Sequence, residues 1–255
     1  MISPLAYVDA SAKLGANVTV HPFAYIDKNV EIGDDCEIMP HVSIMSGTRM
    51  GKRNRIFNGA VIAAEPQDFN YKGDDTIVEI GDDNVIRENV VINRATNSDG
   101  KTVIGNGNFL HEGVHVSHDT HIGNHSVFGY GSKISGNCMI EDYVIFGGNV
   151  LVSQGCRVGT WSMTQTGCRF RKDVPPYIVA ALEPTTYYGV NSVILMHEGM
   201  SEKIVKHISH AYRIIYQGNT SIFDALQMIK DQVPMSDEIQ HIIDFISASK
   251  LGIIK

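Results

Sequence analysis

A period of six residues is the strongest pattern in this 255-residue sequence. Apolar residues stand at every sixth position over 2–62, and the same register returns over 80–92 and 104–158. A small or β-branched residue, such as Val18 or Cys36, stands two positions before many of them. Side chains two residues apart share one face of a β-strand, so both positions are predicted to point inward from very short strands. A helix would not produce this spacing.

Glycines follow the apolar residue at 18-residue steps, for example Gly15, Gly33 and Gly51, which indicates that three hexads make one coil. The pattern therefore predicts a mainly β fold, a triangular parallel β-helix whose coils stack about 4.8 Å apart. The prism is expected over 1–172. Polar, turn-rich segments break the register at 63–79 and 93–103, and they are predicted to be loops that project from the prism, where function tends to concentrate.

The residue between the two inward positions faces outward. On one wall this residue becomes apolar at 18-residue steps, at Phe109, Val127, Ile145 and Met163. An apolar stripe on an outer wall requires a partner surface. A three-fold ring satisfies it, so we predict a homotrimer; a C-terminal element packed on that wall is the alternative.

The hexad pattern stops near the proline pair Pro175–Pro176, and an extended, irregular connecting arm is expected over 173–199. A helical domain is predicted over 200–255. Ser201 is placed to cap its first helix, which should end near Gly218, and two further helices fit SIFDALQMIKDQV and DEIQHIIDFISAS. This domain is expected to cap the end of the prism, where unpaired strand edges would otherwise remain.

Composition excludes several classes of protein. Hydrophobic residues make up 43% of the chain, which is incompatible with intrinsic disorder. A net charge of −7 disfavours a general nucleic-acid-binding protein. Neither a signal peptide nor an apolar run long enough to span a membrane is evident, so a cytoplasmic protein without a membrane span is expected. The four cysteines stand at multiples of six and form no CxxC pair, which predicts buried structural residues rather than disulfides or metal ligands.

Five histidines fall within HEGVHVSHDTHIGNH, and most are expected to be solvated turn residues. His118 is the best candidate for chemistry, because it lies in a turn at a wall edge and Asp119 follows it. A neutral imidazole beside a carboxylate can accept a hydroxyl proton near neutral pH. One and two coils further on lie Gly136 and Gln154, expected to stack about 5 and 10 Å from His118. A glycine there leaves its backbone N–H accessible to an oxyanion.

Five segments together resemble one enzyme family: QDFNYKGD, VEIGDDNVIREN, GVHVSHDTHIGN, KDVPPY and YYGVN. They are similar to bacterial UDP-N-acetylglucosamine O-acyltransferases, the first enzymes of lipid A biosynthesis, over essentially the whole chain. The resemblance implies a left-handed hexapeptide-repeat β-helix and a trimer with clefts between subunits. It also implies transfer of an R-3-hydroxyacyl group from acyl carrier protein to the glucosamine 3-hydroxyl of UDP-N-acetylglucosamine, without a cofactor or a metal.

The resemblance also implies roles for individual residues. His118 would be the general base, Asp119 would orient it, and the Gly136 N–H would stabilise the oxyanion. Residues implied to bind the substrate are Asp68, His115, Gln154 and Asn191, together with positions Asn137 and Ser153, where histidines are common in the family. Asn70 stands where a lysine is common, and His197 and Glu198 replace a basic pair associated with the nucleotide. Gln165 and Thr166 lie near the acyl-length determinant.

An acidic carrier protein needs a basic surface on this acidic chain. Two candidates exist: Arg169, Arg171 and Lys172 near the end of the prism, and Lys203, Lys206, His210 and Arg213 on the first helix. For any single residue, a solvated position is an equally good interpretation.

Three other functions remain open from the sequence. A metal enzyme of the γ-carbonic anhydrase type would use His115, His118 and His121, although zinc needs convergent ligands and two of these are predicted on different walls. A non-catalytic scaffold is the second. The third is acylation of an amino-sugar variant of the acceptor, which would form an amide.

Overall fold

The computed structural model describes residues 1–255, and very short strands dominate it. The first nine strands are Tyr7–Val8 (β1), Lys13–Leu14 (β2), Thr19–Val20 (β3), Tyr25–Ile26 (β4), Glu31–Ile32 (β5), Glu37–Ile38 (β6), Ser43–Ile44 (β7), Thr48–Met50 (β8) and Arg55–Ile56 (β9). The next nine are Val61–Ala64 (β10), Ile77–Ile80 (β11), Val85–Ile86 (β12), Val91–Asn93 (β13), Lys101–Ile104 (β14), Phe109–Leu110 (β15), His115–Val116 (β16), His121–Ile122 (β17) and Val127–Phe128 (β18). The last nine are Lys133–Ile134 (β19), Met139–Ile140 (β20), Ile145–Phe146 (β21), Leu151–Val152 (β22), Arg157–Val158 (β23), Met163–Thr164 (β24), Arg169–Phe170 (β25), Ile178–Ala181 (β26) and Thr186–Val190 (β27).

Every third strand lies on the same wall, so one coil contributes one strand to each of three parallel sheets. Wall 1 runs from β1 through β4 and β7 to β25, wall 2 from β2 through β5 to β23, and wall 3 from β3 through β6 to β24 and then β26 and β27. Regular coils pair residues 18 apart, as His115 pairs with Lys133. The predicted fold, a left-handed parallel β-helix with a C-terminal helical part, is confirmed.

The inward ladder is buried along the prism. Ile38, Ile92 and Ile134 are fully buried, and the small inward residues, including Ser126 and Cys156, are buried beside them. All four cysteines are buried free thiols. Burial raises the pKa of the Cys138 thiol to about 12, so this side chain stays protonated and behaves as a small core residue.

Strand β20 tests the alternation directly, because Ile140 is 2% exposed while its neighbour Met139 is 49% exposed. We expect Ile140→Ala to lower the free energy of unfolding by about 2–5 kcal/mol, since it removes buried methyl groups and leaves a cavity. Met139→Ala should change it by less than about 0.5 kcal/mol. Urea denaturation followed by circular dichroism measures both, and equal effects would contradict the inward assignment of Ile140.

Two coils are longer than 18 residues. Ser43–Ile44 and Val61–Ile62 keep the regular spacing, but Val61 pairs with Val91 and Val91 with His115, which are 30 and 24 residues apart in the printed numbering. The extra residues form two loops, 65–76 and 94–100, which are shorter than the predicted 63–79 and 93–103. The predicted boundaries were too wide because β11 and β14 pair over four residues instead of two, which extends regular structure into both segments.

The segment 173–199, predicted as an irregular arm, contains regular structure. β26 continues wall 3 in parallel with β24, and β27 folds back antiparallel to β26. The short helix Ser192–His197 (α1) follows. The prediction missed this because Met163 pairs with Val179, only 16 residues on, so the six-residue register is lost while the wall continues.

The three C-terminal helices begin and end close to the predicted positions: Glu202–Gln217 (α2), Ile222–Gln232 (α3) and Asp237–Ser247 (α4). Ser201, Ser221 and Ser236 are their N-caps, and each hydroxyl accepts a backbone N–H from the first turn. α2 packs on β27 and on the other helices. No helix in the structure is long and apolar enough to cross a membrane.

The helices are joined to the last coils by polar contacts. The Arg157 guanidinium donates to the Phe245 carbonyl and stacks over the Phe245 ring. Buried Asp173 accepts from the Arg157 backbone N–H and from the Ser249 hydroxyl, and its backbone bridges to Ile253. These contacts hold the helical segment against the end of the prism.

Candidate active site

The two loops and the His118 turn leave the prism at the same edge, where wall 1 gives way to wall 2. Loop 65–76 connects β10 to β11, loop 94–100 connects β13 to β14, and His118 lies between β16 and β17. These three connections belong to consecutive coils, so they stack one above another. This stacking brings residues 68, 96 and 118 together although they are far apart in the sequence.

His118 is enclosed by two carboxylates. Its Nδ1 lies 2.8 Å from Asp119 Oδ2, and its Nε2 lies 3.6 Å from Asp68 Oδ2. The side chains of His118 and Asp119 are only 10% and 11% exposed. A neutral His118 therefore donates from Nδ1 to Asp119, which leaves the Nε2 lone pair available to accept a proton.

Asp68, named from the sequence, lies within the site because the first loop folds back over the His118 turn. Asp68 Oδ1 accepts from the backbone N–H of Asn70 at 2.9 Å and from its side-chain amide at 3.1 Å. The backbone contact is the main cause of a lowered Asp68 pKa, so this carboxyl is charged at neutral pH. Asn70, which stands where a lysine is common, thus binds the neighbouring carboxylate.

Gly136 lies directly beneath the imidazole, as the coil spacing predicted. A Cβ built on Gly136 would lie 2.5 Å from both Cε1 and Nε2 of His118, so only glycine allows this contact. The Gly136 N–H donates to no acceptor in the chain, while its carbonyl accepts from Gly155. An unpaired N–H next to the candidate base is the donor that an oxyanion requires.

The other predicted site residues occupy three different places. His115 faces outward on wall 1 in register with Lys133, and burial is the main cause of its lowered pKa, so its ring is neutral. Asn137 and Gln154 are exposed and Ser153 is half-buried along the same edge. Thus the edge of His118 also carries these positions on later coils.

Asn191, Gln165 and Thr166 are not brought to His118 within one chain. Asn191 is buried and donates to the carbonyl of Trp161, at the edge between walls 2 and 3. Gln165 and Thr166 are exposed between β24 and β25, at the edge between walls 3 and 1. His197 and Glu198 follow Asn191 and pair with each other at 2.9 Å on the surface.

The predicted basic surfaces also lie apart. Arg169, Arg171 and Lys172 line a surface groove together with Ser153 and Lys255, on the wall that also carries His115. On α2, Lys203 and Arg213 are exposed, His210 is half-buried, and Lys206 pairs with Glu202 at 2.8 Å. The groove lies nearer to the edge of His118 along wall 1.

The apolar stripe predicted from Phe109, Val127, Ile145 and Met163 lies in register on wall 3 and continues to Val179. All of these side chains remain partly exposed. The C-terminal helices contact β27 and the end of the prism instead of covering this stripe.

His115 and His121 lie on different walls, as predicted, in β16 and β17. No group of three or more histidine, cysteine, aspartate or glutamate side chains is arranged to hold a metal ion.

Comparison with known proteins gives a consistent result. Residues 173–254 match a family model described as UDP-N-acetylglucosamine O-acyltransferase, domain 2, and residues 101–136 match six bacterial transferase hexapeptide repeats. An acyl-(acyl-carrier-protein)–UDP-N-acetylglucosamine O-acyltransferase from Xanthomonas axonopodis pv. citri is 40% identical over 257 residues, which is 100% of this chain and 98% of the relative. The chain belongs to this O-acyltransferase family.

Solved structures agree with this assignment. The UDP-N-acetylglucosamine acyltransferase from Bacteroides fragilis superposes with a TM-score of 0.99 at 51% identity, and both chains are covered completely. The Acinetobacter baumannii structure superposes with a TM-score of 0.97 at 33% identity, covering 100% of this chain and 99% of the other. The resemblance to the UDP-N-acetylglucosamine O-acyltransferase family, drawn from five short segments, is confirmed over the whole chain.

Sequence reasoning missed Thr96. Its backbone N–H donates to Asp119 Oδ2 at 3.0 Å, and its hydroxyl donates to Asp68 Oδ2 at 3.4 Å. The second loop was identified as a place where function concentrates, but nothing in NRATNSDGK distinguishes one polar residue from another. Only the stacking of the coils shows that this threonine touches both carboxylates of the site.

Proposed function

We propose that this protein transfers an R-3-hydroxyacyl group from acyl carrier protein to the 3-hydroxyl of the glucosamine in UDP-N-acetylglucosamine, the first step of lipid A biosynthesis, in the cytoplasm. Membership of the O-acyltransferase family supports the two substrates. The observation that carries the mechanism is the His118 imidazole, whose Nδ1 is bonded to Asp119 and whose Nε2 lies over the free N–H of Gly136.

The reaction follows from this arrangement. His118 Nε2 takes the proton of the acceptor hydroxyl as its oxygen attacks the thioester carbonyl carbon, and Asp119 stabilises the imidazolium. The Gly136 N–H stabilises the negative oxygen of the tetrahedral intermediate. When the intermediate collapses, the C–S bond breaks and the imidazolium returns its proton to the leaving thiolate. The products are the acylated nucleotide sugar and the free carrier thiol, with no covalent enzyme intermediate.

The remaining site residues take the roles that the family resemblance implies. Asp68 and neutral His115 bind the sugar near the base, and Asn137, Ser153 and Gln154 contact the substrates along the same edge. The groove with Arg169, Arg171 and Lys172 receives the acidic carrier protein, with Lys203, Lys206 and Arg213 as the second candidate surface. Asn191, Gln165 and Thr166 reach the site from a neighbouring subunit, the first toward the nucleotide and the other two toward the acyl chain.

A homotrimer closes this arrangement, since a residue at another edge can approach His118 only from a second chain. The stripe on wall 3 supports it: a row of partly exposed apolar side chains that the chain's own helices leave uncovered.

We expect Ile145→Glu to dissociate the trimer, because it places a charge in the middle of this stripe. Analytical ultracentrifugation should give three times the 28.0 kDa chain mass for the wild type and the single-chain mass for the variant. Met139→Glu, an equally apolar outward position on wall 2, is the control and should remain trimeric. A trimeric Ile145→Glu protein would place the interface elsewhere.

The function is tested by incubating purified protein with UDP-N-acetylglucosamine and a panel of 3-hydroxyacyl carrier proteins, with a chelator present, and analysing the products by mass spectrometry. The expected product is heavier by one hydroxyacyl group. Hydroxylamine should release this group, because esters react and amides do not. A hydroxylamine-resistant product formed only from an amino-sugar acceptor would establish N-acylation instead, and silence with both acceptors would contradict the proposal.

A further inference from the structure

The second loop holds the first loop in place through four consecutive residues. Each residue from Asn93 to Thr96 contacts the first loop or its end: Asn93 Nδ2 donates to the Glu65 carbonyl at 2.6 Å, Arg94 Nη2 to Tyr71 Oη at 2.6 Å, the Ala95 carbonyl accepts from Thr76 Oγ1 at 2.5 Å, and Thr96 Oγ1 donates to Asp68 Oδ2 at 3.4 Å. Arg94 also lies over the Tyr71 ring. The position of Asp68 above His118 is therefore set by the second loop.

Thr96 has the most direct contacts with the site. It is 4% exposed, and it bonds to the same carboxylate oxygens that face the two nitrogens of His118. Its backbone N–H shares Asp119 Oδ2 with His118 Nδ1, and its hydroxyl binds Asp68 Oδ2, which faces Nε2. Asp68 Oδ2 has no other donor in the chain, since both bonds from Asn70 go to Oδ1.

The separation of 3.6 Å between His118 Nε2 and Asp68 Oδ2 has a chemical consequence. It exceeds the usual range of an N–H···O hydrogen bond, so the Nε2 lone pair stays free. A carboxylate bonded directly to Nε2 would hold the ring protonated and block it as a base. At 3.6 Å the same charge still favours the imidazolium that forms during transfer.

We propose that Thr96 is a positioning residue that holds Asp68 away from His118 Nε2 while its backbone N–H fixes Asp119 on Nδ1. The proposal rests on the proposed function for its meaning in catalysis, but the geometry it concerns is present without substrate. Asp119 and Asp68 are the carboxylates within 4 Å of the imidazole nitrogens. The second loop presents Thr96 and the next coil presents Gly136 and Asn137, none of which titrates.

The test measures the pKa of His118 in the full-length protein by NMR, with histidine labelled at Cε1 and the His118→Ala spectrum used for assignment. Thr96→Val removes the hydroxyl with little change of shape. Asp68 should then close onto Nε2 and raise the His118 pKa by about one unit. Thr96→Ser keeps the hydroxyl and should titrate as the wild type does. In the double variant Thr96→Val/Asp68→Asn the increase should disappear.

The acid limb of kcat/KM against pH should move upward by the same amount in Thr96→Val and stay in place in Thr96→Ser. A residue with a merely structural role would lower the height of the profile and leave the limb where it is. If the His118 titration of Thr96→Val coincides with that of the wild type, the proposal is wrong. If the shift appears but the wild type transfers no acyl group, the proposed function fails and the positioning role stands.

Discussion

His118→Ala is expected to lower kcat for acyl transfer by about 10³-fold, the size of effect seen when a general base is removed. The ring nitrogen that would accept the proton lies 3.6 Å from one carboxylate, and the other nitrogen is bonded to a second at 2.8 Å. No other side chain at this edge offers a neutral nitrogen in that position. The transfer assay under saturating substrates measures the loss.

His121→Ala is the matched control. His121 lies three residues further in the same segment, but it is exposed on the outward face of wall 2. Its activity should stay within about twofold of the wild type, because it touches neither carboxylate. Both variants should keep the circular dichroism spectrum and the oligomeric state of the parent. Activity of His118→Ala within tenfold of the wild type would rule out the histidine as the base.

Gly136→Ala is expected to lower kcat by about 10²-fold, close to the loss of one oxyanion donor. The added methyl would lie 2.5 Å from two ring atoms of His118, a distance that no real Cβ contact allows, so the imidazole must shift. The same methyl screens the N–H that no other group in the chain uses. Base and oxyanion donor are therefore disturbed by one atom.

A double-mutant cycle separates these effects. In a His118→Ala background the steric conflict is gone, so Gly136→Ala should then cost little free energy of unfolding, whereas in the wild type it should lower the thermal midpoint measurably. Coupling in stability together with lost activity would confirm the contact. Full activity of Gly136→Ala would show that the oxyanion is stabilised elsewhere.

The sequence predicted the prism well because one rule repeats in every coil. Burial of Ile38 and Ile134 follows from the same six-residue spacing, and any single violation is outweighed by the other coils. The rule fails where the coil length changes. Val179 pairs with Met163 at a spacing of 16, so the hairpin of β26 and β27 stayed invisible to a pattern that counts in sixes.

The site was predicted only in part, for a different reason. His118, Asp119 and Gly136 lie on regular coils, so counting by 18 was enough to place them together. Thr96 lies in an irregular loop whose path is decided by contacts with Asp68 and Asp119, which no periodicity encodes. Asn191 shows the converse limit: it was named from the family resemblance, but within one chain it binds Trp161 at another edge.

The stacking of three connections on one edge has a further consequence. The base comes from an ordinary coil, while the carboxylate beside it and the threonine that bonds to both carboxylates come from insertions in the two coils beneath. An insertion at a corner leaves and rejoins the prism without moving the walls, so its length and sequence can change independently of the coil that carries His118. The fold thus separates reactivity from recognition into different storeys of one building, and new acceptor preferences can arise by rebuilding a lower storey while the chemistry above it stays intact.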